Sequence, residues 1–134
     1  MSQAVSDLQT LIRSMQPVLH DGAYYFATLP EGCALTAAEI HASIREAEGL
    51  SVVVDEETAR KYGLQNAFRA AWITLNVHSD LAAVGLTAAF SAALGRAGIS
   101  CNVVAGHCHD HIFVPYEQAE AAMETLLNLQ RNGG

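Results

Sequence analysis

Positive charge is scarce in this chain. Seven Lys and Arg residues stand against fourteen Asp and Glu residues, which gives a formal net charge of −7 over 134 residues. Because no cluster of basic side chains is present to neutralise phosphates, we expect no nucleic-acid partner.

Long apolar runs and paired cysteines are also missing. No run reaches eighteen apolar residues, and the first residues, Met1 to Asp7, lack the basic start and apolar core of a signal peptide. We therefore expect no membrane partner and a cytoplasmic location. The odd number of cysteines, without Cys-x-x-Cys spacing, argues against a disulfide framework or a structural zinc site. The 51% hydrophobic content predicts a compact core, in one domain or in two small fused units.

The most informative stretch is a strand that leads into a helix. Apolar and polar residues alternate from Ile73 to His78, which predicts a strand with one face in a core. Apolar residues then recur at helical spacing from Val84 to Leu94, and Gly98 follows as a stop. The amides at a helix N-terminus can hold an anion. Gly85, near this helix start, has two interpretations: close helix-on-sheet packing, or room for a ligand near the backbone.

The first half of the chain predicts a mixture of helices and strands. Val5 to Met15 form one apolar helical stripe that Pro17 ends, and Tyr24 to Phe26 have strand character, with a turn or bulge at Asp21 and Gly22. Thr36 and Glu39 predict a capping box for a helix that continues to Ala47. Further predictions are a strand at 50–55 and a helical turn at 56–63.

The end of the chain predicts a strand pair followed by a helix. The apolar run 99–105 predicts a strand buried on both faces, and 109–114 predicts an antiparallel return after a tight turn. From Tyr116 onward apolar residues repeat at helical spacing, with Glu117 and Glu120 in the first turn.

Three segments of the second half resemble the ACT domain family: Val84–Leu86, Ala97–Val104 and His109–Pro115. The likeness is to small bacterial proteins with two ACT-like units, and it is stronger over 71–130 than over 1–66. It implies an α+β ferredoxin-like ACT sandwich, an antiparallel sheet with helices on one face. We accordingly divide the chain into an N-terminal ACT-like unit, 1–66, and a C-terminal ACT domain, 67–134.

The resemblance also implies a regulatory protein that binds a small effector, usually at an interface between ACT units. Our leading hypothesis is an amino-acid-binding protein without catalytic activity or cofactor, forming a homodimer. The ligand carboxylate would lie on the amides around Gly85. Asp80 would bind the ammonium group, and Asn102 matches a strand position that commonly faces the effector in ACT domains. The full candidate set is Ser79, Asp80, Val84, Gly85, Leu86 and Asn102.

The segment His107-Cys108-His109-Asp110-His111 carries an alternative. Three imidazoles, a thiol and a carboxylate are metal-ligand types, and a regular strand would align His107, His109 and His111. A hairpin at Gly106 to His109 would separate them. A metal-binding protein or metal-dependent enzyme is the alternative to a polar hairpin that bonds locally.

Conventional enzyme motifs are absent from the sequence. There is no Gly-x-Ser-x-Gly, P-loop or Gly-x-Gly-x-x-Gly, and Ser79 and Asp80 beside His78 are neighbours in sequence rather than an arranged triad. We interpret His20 as a surface or packed residue and Cys101 as a small core residue. A non-enzyme is favoured, and an ACT fold that only dimerises, without a ligand, remains a third interpretation.

Overall fold

The computed structural model describes residues 7–77 and 84–132. Along the chain the elements are α1 (Leu8–Ser14), β1 (Gln16–Leu19), β2 (Tyr24–Thr28), β3 (Ala42–Glu46), β4 (Gly49–Asp55), α2 (Glu56–Tyr62), β5 (Ala70–Asn76), α3 (Leu86–Arg96), β6 (Asn102–Ala105), β7 (Asp110–Pro115) and α4 (Ala119–Asn132), with 3-10 turns at Ala37–Glu39 and Tyr116–Gln118.

The strands form one antiparallel sheet in the order β3-β4-β2-β5-β7-β6, with β1 also beside β5. Gln16–Leu19 pair with Asn76–Ile73, and β2 reaches the same side of β5 where Tyr24 lies opposite Ala70. Between the two pairings the chain bends at Asp21 and Gly22, where Gly22 has a φ of 84°. The predicted turn or bulge is therefore confirmed, and it lets β1 and β2 follow one another along β5.

The four helices of residues 7–77 and 84–132 cover one face of the sheet. Because Tyr24 and Ala70 are paired and point to the opposite face, Tyr25 and Ala71 share the helix face. Helix α2 packs there with Tyr25, Val52 and Val54, and α1, α3 and α4 pack over β5 and β7. The main core contains Leu11, Ile12, Met15, Ile73, Leu75, Phe90, Leu94, Ile112 and Leu126. This arrangement confirms the predicted α+β architecture of an antiparallel sheet with helices on one face.

The first helix packs with the second half of the chain. Leu11, Ile12 and Met15 belong to the core cluster that β5, α3 and α4 build, and the Gln130 side chain donates to the carbonyl oxygen of Met15 at 2.6 Å. The division between residues 66 and 67 stays a prediction, and this core extends across it.

The helix predicted after Thr36 is wrong. The capping box is present, with the Thr36 amide donating to Glu39, but only the 3-10 turn follows it. Ala42–Glu46 instead pair with β4 from Val53 to Gly49. The buried strand β4 needs a partner along that edge, and this pairing outweighs the local helix signal.

The predicted burial of the 99–105 strand is also wrong. Strand β6 begins at Asn102, pairs with β7 alone among the described strands, and is largely exposed because it lies at the sheet edge. The strand after Gly49, the helix ending at Tyr62, the antiparallel β7 and the last helix are confirmed. Gly63, at φ 69°, closes α2.

Candidate functional site

Within the described residues, helix α3 begins without a side-chain cap. Its N-cap residue is Gly85, and its first turn carries no acidic residue. Gly85 has no side chain that could accept from the first amides, so the N-cap residue itself provides no side-chain partner for these donors. At eleven residues, α3 is long enough to direct positive potential toward this end.

Gly85 also has a role in the backbone and its packing. Its φ is +105°, in the region that L side chains rarely adopt, and a Cβ atom placed there would lie 3.1 Å from Cδ2 of Leu8. Of its neighbours, Val84 is 83% exposed, whereas Leu86 is 3% exposed with its side chain in the core. Leu86 therefore has only its backbone amide to offer a ligand, and Gly85 has a structural role whether or not a ligand binds.

The other predicted residues are not gathered at this helix start by the described chain. Ser79 and Asp80 lie outside the described residues. Asn102 lies opposite Phe113 and donates to its carbonyl oxygen at 3.3 Å. The other end of β6, Ala105, adjoins the end of β5 from which the chain leads to α3. Asn102 is three residues from Ala105 along β6, which places it about 10 Å from the end of β5 that leads to α3. The predicted site of six residues therefore stays a prediction.

A cluster of rings surrounds Trp72 on the face of the sheet that no described helix covers, called the helix-free face below. His20 stacks on the indole with centroids 3.6 Å apart and planes within 12°. The other rings are contributed by β2, the residue before β3, and β7. Their centroids lie between 5.2 and 6.0 Å from that of Trp72: Tyr24, His41, His111 and Phe113. We call these residues, together with Thr74, the Trp72 cluster.

A hydrogen-bond network runs through the Trp72 cluster. The indole Nε1–H donates to Nδ1 of His111 at 3.1 Å. The Thr74 hydroxyl lies 3.0 Å from the same nitrogen and 2.7 Å from Nε2 of His20. Burial lowers the pKa values of His20 and His111 below their usual range, and neighbouring imidazoles lower both further.

Sequence reasoning missed this cluster because its members are distant along the chain. The alternation of β5 places Trp72 and Thr74 on one face, which is a readable signal, but no pattern indicates that His20 joins them. The metal alternative had grouped His111 with His107 and His109. His111 instead bonds within the sheet face, and the two others are exposed. Among residues 7–77 and 84–132, no three His, Cys, Asp or Glu side chains are grouped to hold a metal ion.

The helix-free face also holds an apolar cleft of about 380 Å³. Both edge strands line it, β3 through Ala42 and Ile44 and β6 through Val104, with Phe26 and Val53 between them. The sheet therefore curls until its two edges border one cleft.

Sequence comparison finds the ACT domain twice. One ACT domain model matches residues 3–71 and a second matches residues 68–128. No curated protein is similar enough in sequence to match. Within the described residues, every helix is too short or too polar to cross a bilayer.

Solved structures share the fold. A protein of unknown function from Vibrio cholerae, described as a possible transport protein, is 43% identical over 96% of this chain and 99% of its own, with a TM-score of 0.80. An Agrobacterium tumefaciens protein is 19% identical over 87% of this chain and 89% of its own, with a TM-score of 0.61. The ligand-free regulatory subunit of aspartate kinase from Thermus thermophilus is 12% identical over 84% of this chain and 95% of its own, with a TM-score of 0.57. The family matches, together with this fold, establish that the chain belongs to the ACT domain family.

Proposed function

We propose that this chain binds an amino acid as a regulatory effector and performs no chemistry on it. Two ACT domain matches support a regulatory role through binding of a small molecule. The regulatory subunits of aspartate kinase from Thermus thermophilus and Thermus flavus share the fold. The amino acid itself, a homodimeric state and a cytoplasmic location are parts of the proposal.

The ligand carboxylate lies on the first amides of α3 in this proposal. The observation that supports this placement is the glycine N-cap. Because Gly85 supplies no side-chain cap, the backbone amides around it, from Val84 to Thr87, are candidates to bind the carboxylate. Ser79 and Asp80 hydrogen-bond the ligand, and Asp80 pairs with its ammonium group. Asn102 supplies a contact from its own or a second subunit.

A thermal-shift screen tests the ligand class. Each proteinogenic amino acid is compared with acetate, Zn²⁺ and Mn²⁺ on the same protein. An amino acid present at a hundred times its Kd stabilises the native state by about 2.7 kcal/mol, which is easily measured. Stabilisation by zinc alone would favour the metal alternative, and no stabilisation by any compound would favour an ACT fold that only dimerises.

Two exposed alanines of α3 test the placement. Ala88→Asp puts a carboxylate in the first turn, where it competes for the same amides, while Ala92→Asp puts the same charge one turn further on. Losing a charge-assisted hydrogen bond of about 1.5–3 kcal/mol corresponds to roughly a tenfold or greater loss of affinity. We expect this loss by calorimetry for Ala88→Asp alone, without a lower melting temperature. Equal affinities of the two variants would place the ligand elsewhere.

Asp80→Ala separates the two ends of the ligand. It should weaken an amino acid more than acetate, because it removes the ammonium partner and leaves the helix amides in place. Equal losses for both compounds would contradict the assigned role.

A further inference from the structure

The Trp72 cluster requires His111 to be neutral. An indole N–H can only donate, and it donates to Nδ1 of His111 at 3.1 Å. That nitrogen therefore carries a lone pair, and the ring proton of the neutral imidazole is on Nε2. The side chain has one protonation state that satisfies the contact.

Thr74 links this requirement to His20. Its hydroxyl has one proton and lies within hydrogen-bond distance of both imidazoles. With Nδ1 of His111 as acceptor, the chain of donors runs from Nε2–H of His20 through the Thr74 hydroxyl to His111. A second proton on His111 turns Nδ1 into a donor that faces the indole N–H, so the hydrogen bond to Trp72 is lost. The Thr74 hydroxyl must then accept from His111 instead of donating to it.

We propose that this network is a pH-sensitive contact between the segment that follows β1 and strands β5 and β7, which weakens when His111 takes up a proton under mildly acidic conditions. His20 directly follows β1, which pairs with β5, while Trp72 lies on β5 and His111 on β7. The network thus ties residue 20, distant along the chain, to two neighbouring strands of the second half. This proposal is independent of the amino-acid site.

The groups facing the network decide the direction of the effect. Burial is the main cause that lowers the pKa values of both His20 and His111. Since the unfolded value is about 6.5, the unfolded chain binds protons first as pH falls. Stability is therefore complete above about pH 6.5 and is lost as pH falls toward the folded pKa values. Two facing groups oppose protonation, His41 beside His20 and His109 beside His111. Two others favour it, Asp21 beside His20 and Asp110 beside His111. The Tyr24 hydroxyl faces the same region and donates to the Asp21 carbonyl oxygen.

Trp72 is a direct probe of this network because it is the single tryptophan of the chain. We measure its emission and the thermal midpoint of the full chain between pH 8 and pH 5. The expected result is a reversible change in emission below about pH 6.5 together with a lower midpoint. His111→Gln keeps an oxygen acceptor for the indole but cannot titrate, so the emission change should disappear. His107→Gln, at an exposed position of the adjoining hairpin, should retain it.

Nitrogen-15 NMR of the unsubstituted protein tests the same point without a variant. His111 should show the Nε2–H tautomer at pH 8 and titrate below 6.5, its unperturbed pKa. The Nδ1–H tautomer, a pKa at or above the unperturbed value, or an emission change that persists in His111→Gln would overturn the proposal. If His111→Gln does not fold, the tautomer and the titration decide.

Discussion

Leu11→Ala should destabilise this protein strongly although residue 11 lies close to the start of the chain. Leu11 is 1% exposed and packs in the same core as β5, α3 and α4. Surface helices near a terminus usually tolerate truncated side chains. The structure predicts the opposite here, because α1 covers part of the sheet that would otherwise meet water.

The magnitude follows from the burial of this side chain. Truncating leucine to alanine removes three carbon atoms, worth roughly 2 kcal/mol at about 0.8 kcal/mol for each buried methylene. The cavity left behind raises the loss to about 2–5 kcal/mol. A domain of ordinary stability has about 5–15 kcal/mol in total, so the variant should retain the fold with a much smaller margin.

Urea unfolding, followed by circular dichroism, measures this loss. Leu8→Ala is the matched control on the same helix, since Leu8 is 37% exposed and should cost less than about 1.5 kcal/mol. The free energy of unfolding should therefore fall further in Leu11→Ala than in Leu8→Ala. Equal losses would show that α1 is not part of the second half's core, and would refute the packing described for it.

Two further predictions concern glycine and charge. Gly85→Ala should destabilise the protein by about 1–2 kcal/mol because of the positive φ at this position. Gly95→Ala, inside α3 with open space around it, should stabilise the protein by about 0.5–1 kcal/mol. Thermal unfolding of the two variants should therefore show changes of opposite sign. The hydrogen-bonded Arg69 guanidinium lowers the pKa of Glu56, so its contribution to stability is present above about pH 4.5 and is lost as pH falls through the folded value. Glu56→Gln should flatten this acid dependence, while Glu57→Gln, exposed on the same helix, should leave it; identical profiles would contradict the ion pair's role.

Local periodicity was sufficient for most of the secondary structure. The alternation in β5 and the helical spacing in α3 and α4 are each set by one face that meets a core, so the pattern is visible within a few residues. The capping box at Thr36 shows where this reasoning fails. Its local signal is real, but the chain after Ile40 is determined by the pairing of β3 with β4, which the local pattern does not contain.

The Trp72 cluster could not be predicted for the same reason. His20 and Thr74 are 54 residues apart, and their contact depends on the register of β1 against β5. The sequence could suggest an anion site at the start of α3 because a helix N-terminus is a local feature. It could not indicate that Gly85 also accommodates Leu8 from α1, which assigns the glycine a packing role.

The curl of the sheet limits how copies of this chain could assemble. A flat sheet with two free edges can add a neighbour at each edge, and repetition of that contact gives an open filament. Here β3 and β6 border one cleft, so we expect a partner at one of these edges to hinder a partner at the other. We therefore expect edge pairing to stop at a closed pair, and we expect the curvature that forms the cleft to act against fibre growth.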